Sequence, residues 1–223
     1  DGQTGALLEP QTAAEAWVGG FISNRWEVTD QWIVEGQARY DWYSSTEGDF
    51  AGRLSALRLL DPEGKHVLRA GAARSFRTPQ LGIRGFDVEA QPIEGPGLPP
   101  GLFAINFDTA GEIDNEELYA LEFGYSGRLN DQVSLDADVY YQRYFDLTGI
   151  EARPEPEPQI GSRFARIENV GGANGWGFET ELKYEDESNS LAIWYAFNDL
   201  SFDEDITNIR AFGPARNKFG VRA

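Results

Sequence analysis

Between residues 116 and 148 the chain alternates apolar and polar side chains over two long stretches separated by 129–132. Val133, Leu135, Ala137, Val139 and Tyr141 take every second position, and Ser134, Asp136, Asp138, Tyr140 and Gln142 take those between. A period of two puts these sets on opposite faces of a sheet. Tyr119, Leu121, Phe123 and Tyr125 likewise share a face, opposite Ala120, Glu122, Gly124 and Ser126. The two stretches predict antiparallel strands roughly twice the usual 5–6 residues long. That length with one wholly apolar face is what a strand needs to cross a bilayer inside a barrel.

The same pattern recurs along the chain. Residues 31–45 place Trp32, Val34, Gly36, Ala38, Tyr40 and Trp42 on one face and Glu35, Gln37, Arg39 and Asp41 on the other. Aromatic rings sit near both ends of that apolar face and small residues in its middle, the order an aromatic girdle requires. Strands are also predicted over 13–27, 50–60, 65–77, 175–185 and 190–202, with a last one starting at 217. Short turns are predicted over 28–31, at Asp61-Pro62-Glu63-Gly64, and over 186–189. Residues 80–115 and 150–174 are rich in Gly and Pro and read as long loops without strands. Residues 1–11 read as the end of a loop and 203–216 as a loop. Short turns therefore gather on one rim and long loops on the other, as in outer-membrane barrels. The expected fold class is all-β: a partial antiparallel transmembrane β-barrel, with about nine strands of a larger sheet. An odd count with two unpaired ends cannot close, and an open edge in lipid leaves backbone groups unsatisfied.

Composition narrows the chemistry. The 223 residues contain neither Cys nor Met, which rules out disulfides and thiolate metal sites. The first residue is Asp1, so a mature chain or an excised fragment is expected. No apolar run approaches the ~18 residues of a membrane helix. The mean hydropathy of −0.46 does not oppose a barrel, because only alternate residues meet lipid. A net charge of −18 argues against nucleic acid as a partner. It fits either an ordinary solvated surface or an acidic lumen with acidic outer loops.

No catalytic constellation stands out, and neither enzyme activity nor a cofactor is expected. The only histidine, His66, follows a turn and reads as solvated. Asp199, Asp203, Glu204 and Asp205 could offer oxygen to calcium, but a solvated acidic loop is the simpler account and no metal is expected. For ligand capture the long loops offer Arg84, Phe86, Phe103, Phe107, Arg163 and Arg166. Guanidinium groups suit anions and aromatic rings suit flat apolar parts. Arg74 and Arg77 are expected to serve the barrel rim.

Four segments in order resemble the TonB-dependent outer-membrane receptor family. They are 21–41, with Trp26, Thr29-Asp30 and Gln37-Ala38-Arg39-Tyr40-Asp41; 71–79, ending Phe76-Arg77-Thr78-Pro79; 116–147, through Leu121-Glu122-Phe123-Gly124-Tyr125; and 169–181, with Asn169, Gly175 and Gly177-Phe178-Glu179. The resemblance implies a 22-stranded barrel in the bacterial outer membrane, surrounding a plug domain. It implies uptake of a scarce small-molecule ligand, a ferric siderophore-type complex, driven by TonB. The family pattern also contains a plug, an energy-coupling box and a closing strand ending in an aromatic, none of which is seen here. Residues 1–223 are therefore expected to be part of the barrel domain, in contact with outer-membrane lipid, with the plug that meets TonB outside this chain. A passive porin, an adhesin barrel and a soluble β-sandwich that binds carbohydrate are the alternatives.

Overall fold

The computed structural model describes residues 7–8, 14–44, 46, 48–84, 88–89, 96–97, 105–109, 113–153, 163–203 and 215–223. In chain order the elements are β1 (Leu7–Leu8), β2 (Trp17–Thr29), β3 (Trp32–Tyr43), β4 (Asp49–Leu59) and β5 (His66–Arg77). A single helical turn, α1 (Leu81–Arg84), then precedes β6 (Val88–Glu89) and β7 (Ile105–Thr109). There follow β8 (Glu116–Arg128), β9 (Val133–Phe145), β10 (Thr148–Arg153) and β11 (Arg163–Asn169). The last three are β12 (Ala173–Glu185), β13 (Ser190–Phe202) and β14 (Asn217–Arg222).

Nine of these form one sheet in the order β14-β13-β12-β9-β8-β5-β4-β3-β2. Every pair in it is antiparallel, and its strands stand in the order in which they occur in the chain, with β6–β7 and β10–β11 set aside in the two long connections. β2 and β14 are its two edges, so the sheet is open. The predicted alternation is carried across the whole sheet by the register. Ala38 lies opposite Ile22 and Gly52, Ala70 opposite Ala56 and Phe123, and Val139 opposite Phe123 and Phe178. One face is thus a continuous apolar band, and the other carries Glu35, Arg53, Arg69, Glu122, Asp138 and Glu181.

Among the described residues no second layer covers either face; each long strand packs only against its neighbours in the sheet. Trp32, Phe123 and Val139 remain 41%, 49% and 51% exposed, where a sandwich would enclose them. The buried apolar residues are small or lie at the rim: Ile113, Ala120, Ala173 and Ala192. A sheet that exposes so much apolar area has no core of its own and needs an apolar solvent on that face. Charge on this face is confined to the strand ends. Arg58 lies over the Trp32 ring at one rim; Arg74, Glu117, Arg143 and Asp199 stand at the other.

The short turns share one chemistry. A side chain at the start of each accepts two backbone N–H groups through its oxygen atoms, which closes the turn locally. Thr29 Oγ1 holds Gln31 and Trp32 at 3.2 and 3.1 Å. Asp61 holds Lys65 and His66 at 2.8 and 2.7 Å. Asn130 Oδ1 holds Gln132 and Val133, both at 2.9 Å, and Asp186 Oδ1 holds Ser188 and Asn189, both at 2.8 Å. Gly64 closes the Asp61 turn at φ +67°, a left-handed conformation that suits glycine.

Several expectations are corrected. The strand placed at 13–27 runs from Trp17 to Thr29, and the turn after it shrinks to Asp30 and Gln31. The segments 80–115 and 150–174 are not free of strands. β10 and β11 pair antiparallel, continuing the β9–β12 hairpin beyond the rim. β7 from the first segment then joins β11 in parallel, from Ile105 opposite Arg163 to Thr109 opposite Ile167. β6 pairs with β7, and β1 with β6, completing a second sheet of five strands. Residues 7–8, expected in a loop, thus form its edge strand. These pairings join segments far apart in sequence, and no local pattern announces them.

Candidate ligand-facing rim

The long-loop rim is built where β5, β8, β10 and β11 meet the two long connections. Glu116, first residue of β8, accepts hydrogen bonds from Arg77 Nη2 at 2.6 Å and from the Thr148 N–H at 2.9 Å. Asn169, last residue of β11, bonds both N–H and C=O of Asp114 at 2.8 and 3.2 Å, and donates to the Asp146 carbonyl at 2.6 Å. Asp146 adopts φ +53°, held there by this contact and the strand ends on each side. Desolvation, and then the charges of Asp114 and Glu117, push its carboxyl above the ordinary carboxylate range. Farther along, Arg143 grips Asp203 with both Nη atoms at 2.6 Å, which holds the Asp203 carboxyl below its ordinary value.

Arg74 lies in the same rim as a positioning group. It donates to Asp49 at 2.8 Å, to Glu117 at 2.7 Å, to the Tyr119 hydroxyl at 3.0 Å and to the Phe50 carbonyl. Asn115 donates to the other Asp49 oxygen at 3.1 Å. The expectation that Arg74 serves the barrel fits this placement.

Of the six loop residues singled out for ligand capture, Phe86 and Phe103 lie outside the described residues. Phe107, Arg163 and Arg166 are brought together in the second sheet. Phe107 pairs with Val88 and Ala165, Arg163 starts β11 opposite Ile105, and Arg166 lies opposite Asp108 and Glu151. Arg84 stands apart at the end of α1. It donates to the Pro79 carbonyl at 2.8 Å and pairs with Glu15 at 2.9 Å, both side chains largely buried.

The polar face below the rim carries an ordered belt of ion pairs, which alternation along single strands does not reveal. Arg25 pairs with Glu35 at 2.5 Å, Arg53 with Glu122 at 2.8 Å, Arg69 with Asp138 at 2.9 Å and Lys183 with Glu181 at 2.6 Å. Arg69, Gly124 and Asp138 occupy one row across β5, β8 and β9. A Cβ at Gly124 would stand 2.1 Å from Asp138 Oδ1, so the missing side chain is what lets the pair close over β8. Above the belt, a cleft of about 510 Å³ opens between Arg39, Asp41, Tyr43, Ser75, Arg77 and Arg84. Arg39 and Arg77 were not among the ligand-capture residues. The signal that could have found them is their polar-face position at the loop end of predicted strands.

Comparison with solved structures identifies this architecture. The siderophore receptor PirA of Pseudomonas aeruginosa superposes with TM-score 0.67 at 19% identity, over 85% of this chain and 35% of that one. The copper transporter OprC gives 0.60 at 18%, over 86% and 31%. The outer membrane transporter YddB of Escherichia coli gives 0.65 at 11%, over 84% and 25%. The chain thus spans about a third or less of the length of these proteins. At such identities the likeness establishes the fold, a partial outer-membrane β-barrel. No curated protein matches the sequence. The sequence model described as "TonB dependent receptor-like, beta-barrel" matches residues 2–220. With nearly its whole length inside that match, the chain belongs to the TonB-dependent receptor family and represents part of its barrel.

Proposed function

We propose that this chain forms part of the barrel wall of a bacterial outer-membrane receptor that imports a scarce small-molecule ligand, a ferric siderophore-type complex. The observation that carries the reading is the two-faced single sheet. Its exposed band of Trp32, Leu54, Phe123 and Val139 suits hydrocarbon, while the charged opposite face suits a watery lumen. The arginines and aromatics of the long-loop rim supply the groups that hold an anionic chelate. In this reading the plug and the segment that meets TonB belong to the rest of the receptor, and residues 1–223 contribute wall and outer loops.

The test is growth of a strain lacking the gene on single iron sources. Loss of growth on one ferric siderophore, restored by the intact gene and abolished again without TonB, is the expected result. Unchanged growth on all ferric chelates, with recovery of the protein in the soluble fraction, rules the reading out.

A further inference from the structure

We propose that the inner face of the wall carries an anion-binding subsite built on Arg39 and Arg77, which takes a planar two-oxygen anionic group, such as a carboxylate, borne on a flat ligand. The subsite rests on the uptake reading for the route by which a ligand reaches it; its chemistry rests on the geometry that follows.

Both arginines are paired, and both pairs are lopsided. Arg39 donates from Nε to the two oxygens of Asp41 at 3.0 and 2.7 Å. The Arg39 side chain is 55% exposed while that of Asp41 is 5% exposed. Arg77 uses one Nη against Glu116, and the two side chains are 74% and 10% exposed. In each pair the carboxylate is sunk into the wall and the guanidinium stands out over the lumen. Both Nη atoms of Arg39, and the remaining nitrogens of Arg77, meet no protein acceptor among the described residues. A guanidinium held along one edge and open along another is arranged to accept a second anion in a fork.

The seat of Asp41 is built for this arrangement. Gly19 lies directly opposite it on β2, and a Cβ there would stand 2.0 Å from Asp41 Oδ1. Any side chain at that position would displace the carboxylate that orients Arg39. β4 separates the strands of the two arginines. They stand two strand spacings apart across the sheet and two residues apart along it, roughly 12 Å between Cα atoms. Ala51 and Ser75 line the same cleft between them and are too short to fill it. Tyr43 borders the cleft and stacks on Trp17 with centroids 6.4 Å apart, placing flat apolar surface beside the cationic edge. Each pair is neutral overall, so recognition comes from the oriented fork at short range and not from a broad positive field.

The test uses the whole receptor in detergent micelles, titrated with two iron-free probes, 2,3-dihydroxybenzoate and salicylate, and followed by calorimetry. Wild-type protein binds at least one of them. The double variant R39Q/R77Q loses tenfold or more in affinity, each single variant about threefold, and Gly19→Ala no more than R39Q alone. Arg53→Gln, lower on the same face, binds as wild type. The inference is overturned if neither probe binds, or if the double variant and both single variants bind as wild type does. Ferric complexes of the same ligands are titrated in parallel. If these fail while the iron-free probes bind and lose affinity in the variants, the subsite stands and the ferric-uptake reading falls.

Discussion

Asn169 and Asp114 hold each other in both directions: the Asn169 amide oxygen accepts the Asp114 N–H at 2.8 Å and its nitrogen donates to the Asp114 carbonyl at 3.2 Å. The same nitrogen reaches the Asp146 carbonyl at 2.6 Å. One side chain thereby joins the exit of the first long connection to both stems of the second. The parallel ladder between β7 and β11 joins them again farther out. Among the described residues, the two connections are thus tied to each other at the rim and again along this ladder.

Replacing Asn169 by Ala removes three hydrogen bonds in a partly exposed setting, at about 0.5–1 kcal/mol each. The expected result is a local loss of about 2 kcal/mol, seen as some 30-fold faster hydrogen exchange at the Asp114 amide. Asn169→Asp keeps the acceptor, loses the donor, and should fall between. Unchanged protection in both variants would mean that the β7–β11 ladder alone holds the connections together.

Arg74 offers a sharper rim test. Its side chain is 21% exposed, and Asp49 beneath it 14%. Arg74→Ala leaves Asp49 and Glu117 without their cation, which should lower barrel stability by about 2–3 kcal/mol. Arg74→Lys restores charge but not the fork that reaches both carboxylates, so about half the loss should remain. Urea titration of the receptor refolded in vesicles measures both. A loss in the Lys variant equal to that in Ala would assign the whole effect to the fork.

Apolar exposure on the band face makes a prediction that a soluble protein would fail. Val139→Arg, in mid-band, should cost about 2–4 kcal/mol of folding free energy in a bilayer. Gln37→Arg, on the opposite face, should cost less than about 1 kcal/mol because that side chain meets water. Equal costs for the two substitutions would contradict the assignment of the faces.

The tight turns predict an acid dependence. Hydrogen bonds from the Ser188 N–H, the Tyr184 hydroxyl and Asn189 lower the Asp186 carboxyl from 3.8 to about 2. The Lys65 N–H, above other donors, lowers that of Asp61. Both groups titrate lower when folded than when unfolded. Their contribution is therefore complete above pH 3.8, shrinks as pH falls, and for Asp186 is gone below about pH 2. NMR titration of the Asp186 carboxyl should give a midpoint near 2, and Asp186→Asn should remove its part of the acid sensitivity. A midpoint at 3.8 or higher would contradict the turn geometry.

The strands and their faces were legible in the chain because a period of two is a local property. Trp32 to Trp42 and Val133 to Tyr141 declare their shared faces without any partner. The rims were legible as well, since Thr29, Asp61, Asn130 and Asp186 act on backbone only two to five residues away. Arg74 could be placed at the rim by its position near the end of a predicted strand, though not given its four partners.

Tertiary structure alone decided what is held together across the sheet and above it. The β7–β11 pairing joins residues 105–109 to 163–167, and neither strand alternates long enough to announce itself. Arg39 reads from the sequence as a polar-face residue and Arg77 as one that serves the barrel rim; only the fold sets them on either side of one cleft, each with its carboxylate sunk behind it. Alternation says which face a side chain is on, because that depends on its own backbone. It cannot say which side chains share a neighbourhood, because that is set by the register between strands, which the pattern of a single strand does not carry.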